Sequence, residues 1–421
     1  MLNLLRLETR YFPTRSFQVT ARVRGFYDAV YDFQRIDNIA PRTNPRVILS
    51  ADLTDEELAA LQISNLRGIN RLQKDIELRE LYVDLTQPNF DFRLGKQIVR
   101  WGVLEGARIT DEIHPLDLQE FILREVQDRY IPLWLARMNF YRGETRTEFL
   151  WIPDVQPHKP APPGSEWEQL QTLENLDTPP RTLANSEVAL RVSRPFGQWD
   201  VAFSYFYHWD DFPSAFRNFV PNVQFGESPD VNFKPVLTRN NTFGSAFSKS
   251  FSTLVFNAEL AYVLGKRFGT RLGTFNPRTG GVEIIDPLSF GEKKLNFLKY
   301  GMGADFTIFG IDMTLMGVQQ YVIDHNSSII QDEFDTFFSY FLRDTFFSER
   351  LVLQMLTLYF QNDQEFLIRP RMDYQINSKV KFSLGADIFE GEIGGPLPGE
   401  FNFIGFFKNN DRIYFEVSYG F

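Results

Sequence analysis

The feature that most constrains this chain is a strict two-residue alternation of apolar and polar side chains, sustained beyond the length of an ordinary strand. From Phe17 the odd positions read Phe17, Val19, Ala21, Val23, Gly25, Tyr27, Ala29, Tyr31 and Phe33. The even positions read Gln18, Thr20, Arg22, Arg24, Phe26, Asp28, Val30 and Asp32. A period of two belongs to β-structure, yet soluble strands usually run about 5 to 6 residues. The pattern returns at residues 90–95, 199–208, 366–375 and 380–388. A soluble sandwich buries its apolar face against a second sheet. A barrel in lipid turns that face outward and lines an aqueous interior with the polar one.

The spacing of the alternating runs points the same way. Short connections fall at residues 87–89, 142–144, 196–198, 248–250, 309–310, 346–349 and 377–379. Long ones fall at 34–74, 103–130, 154–183, 210–233, 266–291 and 324–333, and a short one at 361–364 is the exception. Tight periplasmic turns alternating with long extracellular loops are expected of an antiparallel up-and-down transmembrane barrel, here of about 16 to 18 strands. The stretch 2–11 reads as a further strand before the first turn, and LTDEELAALQI at 53–63 as a short helix in the first loop. Among 421 residues there are 43 Phe, which suits strands facing hydrocarbon with aromatic girdles such as Trp134, Trp151 and Trp199 at their ends.

Composition excludes several classes. There is no Cys, hence no thiolate metal site. The formal net charge of -10 disfavours duplex nucleic acid as a partner. No run is long and apolar enough for a membrane-spanning helix, which says nothing against strands. The start, MLNLLRLETRYF, lacks the features of a signal peptide.

Two further stretches stand out. GKQIVRWG from Gly95 is followed by DEIHPLDL, placing Gly95, Lys96, Gln97, Val99, Trp101, Gly102, Pro115 and Asp117 in one block. RGFYDAVYDF at 24–33 and the ending FFKNNDRIYFEVSYGF accompany it. Together these resemble a proteobacterial family of porin-like outer-membrane barrels of unknown function. The resemblance implies an outer-membrane location, and such barrels are discussed near exporters of lipid-like or hydrophobic compounds. It also implies that the terminal strand, ending on Phe421, is read by the barrel-assembly machinery. Lipid and lipopolysaccharide would surround the wall, and a homo-oligomer or an export-system partner is compatible with it.

The candidate lining comes from the polar faces: Arg22, Arg24, Arg93, Arg137, Arg191, Arg369, Arg371, Asp373 and Glu416. The segment 103–130 is expected to fold inward as a constriction, because Ile109, Ile113, Leu116, Leu118, Phe121 and Ile122 would otherwise meet water. Its carboxylates Asp111, Glu112 and Asp117 would then bias the pore. With His114 they offer oxygen and nitrogen ligands, but their spacing matches no cation loop, and no metal or cofactor is expected. No nucleophile elbow, zinc-protease helix or phosphate loop is present, so catalysis is not expected. The leading expectation is a passive or gated channel for small polar or charged solutes. The alternatives are an exporter component for hydrophobic compounds and a soluble β-rich carbohydrate-binding protein.

Overall fold

The computed structural model describes residues 2–29, 73–161, 165–168, 176, 178–220, 230–271, 273–276, 281–284, 291–394 and 402–420. The strands are β1 (Leu2–Thr14), β2 (Phe17–Asp28), β3 (Lys74–Gln87), β4 (Phe90–Gln97), β5 (Leu133–Arg142), β6 (Thr145–Ile152) and β7 (Glu187–Phe196). There follow β8 (Trp199–Trp209), β9 (Ser214–Val220), β10 (Asp230–Val236), β11 (Arg239–Ser250), β12 (Leu254–Gly269), β13 (Gly273–Asn276) and β14 (Gly281–Ile284). The last are β15 (Glu292–Ile308), β16 (Ile311–Val322), β17 (Phe334–Phe346), β18 (Leu351–Phe360), β19 (Glu365–Gln375), β20 (Val380–Glu390) and β21 (Arg412–Tyr419).

Seventeen of these form one antiparallel sheet, each strand bonded to the next in sequence. The pairs β9–β10 and β13–β14 stand apart as hairpins. They occupy the connections at 210–233 and 266–291, read from sequence only as loops. Strand length follows from the alternation, up to the 17 residues of β15. The tight turns use left-handed positions, as at Phe309 (φ 54°) and Gly310 (φ 85°), which match the twist of a two-residue hairpin. The turn expected at 248–250 falls three residues later, between Ser250 and Leu254. The helix expected at 53–63 and the terminal Phe421 lie outside the described residues.

Register gathers most charged side chains of the strands on one face, with exceptions such as Lys96 and Lys249. Arg22 stands opposite Glu80, Asp84 opposite Arg93, Arg93 opposite Arg137, Glu148 opposite Arg191, and Asp387 opposite Arg412. A bulge in β3 sets both Arg79 and Glu80 on that buried face. The other face stays apolar and exposed around the sheet, with Leu94 46%, Phe203 59%, Met302 60% and Phe415 67% accessible.

The sheet is rolled, polar face inward. In the loop after β4, the short helix α1 (Val126–Arg129) follows Glu125. Asp128 of α1 meets Arg6 of β1 at 2.5 Å, and Glu125 meets Arg371 of β19 at 3.0 Å. Laid flat, β1 and β19 would be fourteen strand spacings apart, roughly 67 Å. Two arginines reaching one helical turn span roughly 20 Å at most. Only curvature reconciles these lengths.

The strand count is 17, where an even number was expected. The stretch at 2–11 is a full strand, paired with β2 from Leu2↔Asp28 to Thr14↔Phe17. Among the described residues no pairing joins β1 to β21, so the sheet is not closed by hydrogen bonds.

Candidate functional site: a loop seated on the charged face

The chain leaves β4 at Gln97 and re-enters the sheet at Leu133 of β5. Gly95 prepares the exit. Its φ is +138°, and a Cβ there would sit 2.2 Å from the Leu81 carbonyl oxygen, so the position tolerates no side chain. Between the two strands the loop is fastened to the inner face by polar staples and three apolar contacts.

Glu259 of β12 supplies the densest staple. One carboxylate oxygen accepts from Val103 N–H (2.5 Å) and Leu104 N–H (2.7 Å). The other accepts from Thr110 N–H (3.0 Å) and Thr110 Oγ1 (2.6 Å). On the neighbouring strand Gly301 and Gly303 make room. A Cβ at either would lie 2.8 Å from Ile109 or Leu104 respectively. Lys299 of β15 donates to the Arg108 carbonyl at 2.7 Å and pairs with Glu112. Burial works to raise the Glu112 carboxyl, but Lys299, together with His208 and Arg108, outweighs it and holds it below the usual range. Farther round the wall, Arg369 donates to the Leu123 carbonyl (2.7 Å) and to Asp387 (2.6 Å). Arg79 donates to the Tyr130 carbonyl (2.7 Å), and Glu80 accepts from Ile98 N–H (3.0 Å).

Internal bonds shape the loop itself. Asp111 accepts from Trp101 N–H (3.0 Å) and from the Tyr130 hydroxyl (2.6 Å). Burial, with Asp111 alongside, pushes that phenol up to about 12, so it stays a donor. His114 Nε2 accepts from Val99 N–H at 2.8 Å, which leaves Nδ1–H to donate to the Ile131 carbonyl at 3.0 Å. Burial pushes this imidazole down to about 4. His158, also lowered by burial, accepts from Leu116 N–H at 2.7 Å. Asp117 holds Arg124 at 2.6 Å. Arg108 reaches Asp211 at 3.3 Å, and burial pushes that carboxyl up to about 8 despite the arginine.

The apolar contacts divide the wall into sectors. Val99, Trp101 and Ile113 pack on Leu133, Leu135, Leu150, Ile152, Ala189 and Phe206 of β5–β8. Leu104, Ala107 and Ile109 pack on Ala261, Met316 and Val318 of β12 and β16. Phe121 and Leu123 pack on Leu367 and Phe389 of β19 and β20, under Ile404 and Phe407.

The residues proposed from sequence fall into two groups. Arg22, Arg24, Arg93, Arg137, Arg191, Arg369, Arg371, Asp373 and Glu416 share the inner face by register. Most carry partners: Arg22 with Glu8 (2.9 Å), Arg24 with Glu77 (2.9 Å), Arg93 with Asp84 (2.6 Å), Arg371 with Asp373 (2.9 Å) and Glu416 (3.6 Å). Asp111, Glu112 and Asp117 are each engaged in the staples above. Among the described residues no three acidic or histidine side chains converge as a metal site would require. Glu259 belongs to an alternating run, but only the fold shows that it holds a distant loop. Lys299 was passed over. Its signal was the run Lys299, Gly301, Gly303, Asp305, in which glycines replace bulk on a polar face.

Solved structures with similar overall course are outer-membrane proteins at very low identity. OccAB2 of Acinetobacter baumannii is 9% identical over 99% of this chain and 91% of its own, with a TM-score of 0.48. OccK8 (OprE) of Pseudomonas aeruginosa is 8% identical over 93% and 88%, with a TM-score of 0.47. OpdK of Pseudomonas aeruginosa, solved with vanillate, is 9% identical over 99% and 91%, with a TM-score of 0.46. These likenesses are too weak to carry an argument, and the fold rests on its own pairings. No curated protein matches the chain. The model of one family, described as "Protein of unknown function (DUF1302)", matches residues 4–296, and the chain belongs to that family.

Proposed function

We propose that this chain is a porin-like outer-membrane channel in which residues 103–130 narrow the lumen. One observation carries the reading. A single loop is fastened to the polar face of strands from β1 to β20, while the reverse face is apolar and exposed throughout. Water would penalise such a belt at roughly 25 cal/mol per Å²; hydrocarbon would not. Lipid and lipopolysaccharide are then the medium around the wall. The edge strand β21 is what the assembly machinery would read, and association of copies or with an export partner would use the outer face.

Inside, the arginines and carboxylates of the inner face line water and orient permeants. No covalent chemistry is involved. Both β1 and β21 run from the long-loop rim to the tight-turn rim.

The test is refolding in detergent, followed by gel migration with and without boiling and by planar-bilayer recording. A heat-modifiable band and discrete conductance steps are expected. A protein that stays soluble without detergent and passes no current would refute the reading.

A further inference from the structure

Beneath the loop, toward the tight turns, the inner wall is uneven. On β4–β7, Arg93 and Arg137 face each other across the ladder. Arg93 is held by Asp84, while Arg137 and Arg146 share Glu148 at 2.6 and 3.0 Å. Asp91, nearer the turn, accepts from the Tyr141 hydroxyl at 2.7 Å. Arg191 stands opposite Glu148 in register, yet among the described residues it has no carboxylate within ion-pair distance. Its guanidinium lies 5.9 Å from the ring centre of Trp101, a buried indole whose Nε1–H has no partner. This sector therefore carries a guanidinium that no carboxylate pairs directly, Glu148, Glu259 and Asp111 acting on it only from beyond ion-pair distance, and an N–H without an acceptor.

Facing it, β17 and β18 turn Phe341, Leu356 and Val352 to the same interior, partly accessible and outside the loop's apolar contacts. Strands β7, β8, β11, β12, β15 and β16 separate β6 from β17. Strands β19, β20 and β21 lie beyond β18 toward one edge of the sheet, and β1, β2, β3 and β4 lie before β5 toward the other. In a rolled sheet those sectors are opposed. Arg137, Arg191 and Phe341 also lie at similar distances from the turns at Gly143, Gly197 and Phe347.

We infer that the permeant is a small amphiphilic carboxylate, its anion taken by Arg191 with Arg137 and Arg146 as its apolar body passes the facing wall of Phe341, Leu356 and Val352. The inference rests on the channel reading and names its substrate class. A guanidinium pairs a planar carboxylate through parallel N–H donors. The apolar wall opposite leaves less water around the passing tail. A free cation has no site on this side. An anion without an apolar body uses only half of it.

The test uses refolded full-length protein in planar bilayers, with potassium benzoate, potassium acetate and phenethylammonium chloride as probes. Reversal potentials should show benzoate permeating at least as well as the smaller acetate, and both above phenethylammonium. R191Q, which breaks no ion pair, should lower the anion-to-cation permeability ratio about fivefold, the size of one unit charge near a permeant in water. L356Q should lower benzoate relative to acetate and leave the anion preference in place. A conducting protein that prefers the cation, or whose ratios ignore both variants, overturns the inference and leaves the channel reading standing. If no current passes, calorimetric titration with benzoate decides. Heat lost in R191Q supports the site without a channel, and no heat in either protein overturns it.

Discussion

At the scale of single residues, buried groups on the loop decide how it responds to acid and to mutation. His114 is held neutral by the bonds on both ring nitrogens, with its folded value near 4 against about 6.5 unfolded. Between those values the unfolded form binds the extra proton. Its stabilisation is therefore complete above pH 6.5 and is lost as pH falls toward 4, by up to about 3 kcal/mol. Hydrogen exchange of the Val99 amide, which donates to the imidazole, should accelerate across that window relative to its intrinsic rate. H114A should cost about 1–3 kcal/mol at neutral pH and flatten the response, His158 supplying what remains. Unchanged exchange would show that the imidazole does not hold the loop. Glu259 offers a second test. E259A strips the acceptor from three backbone N–H groups, so trypsin should cut after Arg108 at least tenfold faster, with E259Q between. Equal cutting rates would remove Glu259 from the anchor.

Among elements, the exit from β4 is the least forgiving. G95A places a methyl on the Leu81 carbonyl and strains a positive φ, so a cost of about 3 kcal/mol or more is expected. Refolding yield, read from the unboiled gel band, should fall severalfold. By contrast Gly143, also at positive φ but with nothing near its Cβ, should lose far less on substitution by Asn. A similar loss at both positions would mean that the turn conformation, rather than crowding, limits the fold. The alternation identified these strands, and it named their faces correctly around the sheet. It did not foresee the hairpins β9–β10 and β13–β14, because short pairings within a connection carry too few alternating positions to stand out.

At the scale of the whole molecule, the channel proposed above takes the loop as its constriction. Deleting residues 103–130 and bridging the gap with a short Gly-Ser linker should raise single-channel conductance severalfold. It should also expose Glu259 and Lys299, so a conductance that becomes salt- and pH-dependent is expected alongside. A deletion that folds and leaves the conductance unaltered would show that current passes elsewhere. Substituting Asp111, Glu112 and Asp117 together should change loop stability more than ion preference. Each already serves Trp101 and Tyr130, Lys299, or Arg124.

The amino-acid order alone determined the strand class and, along each strand, which side chains share a face. Each follows from local periodicity, which neighbouring side chains cannot hide. The tertiary structure decided which charges are spent on one another. Whether Asp111 faces water or Tyr130, or Arg191 keeps a counter-ion, depends on residues brought together from distant strands. Ion pairing is a property of distance in space, and a period of two carries no record of it.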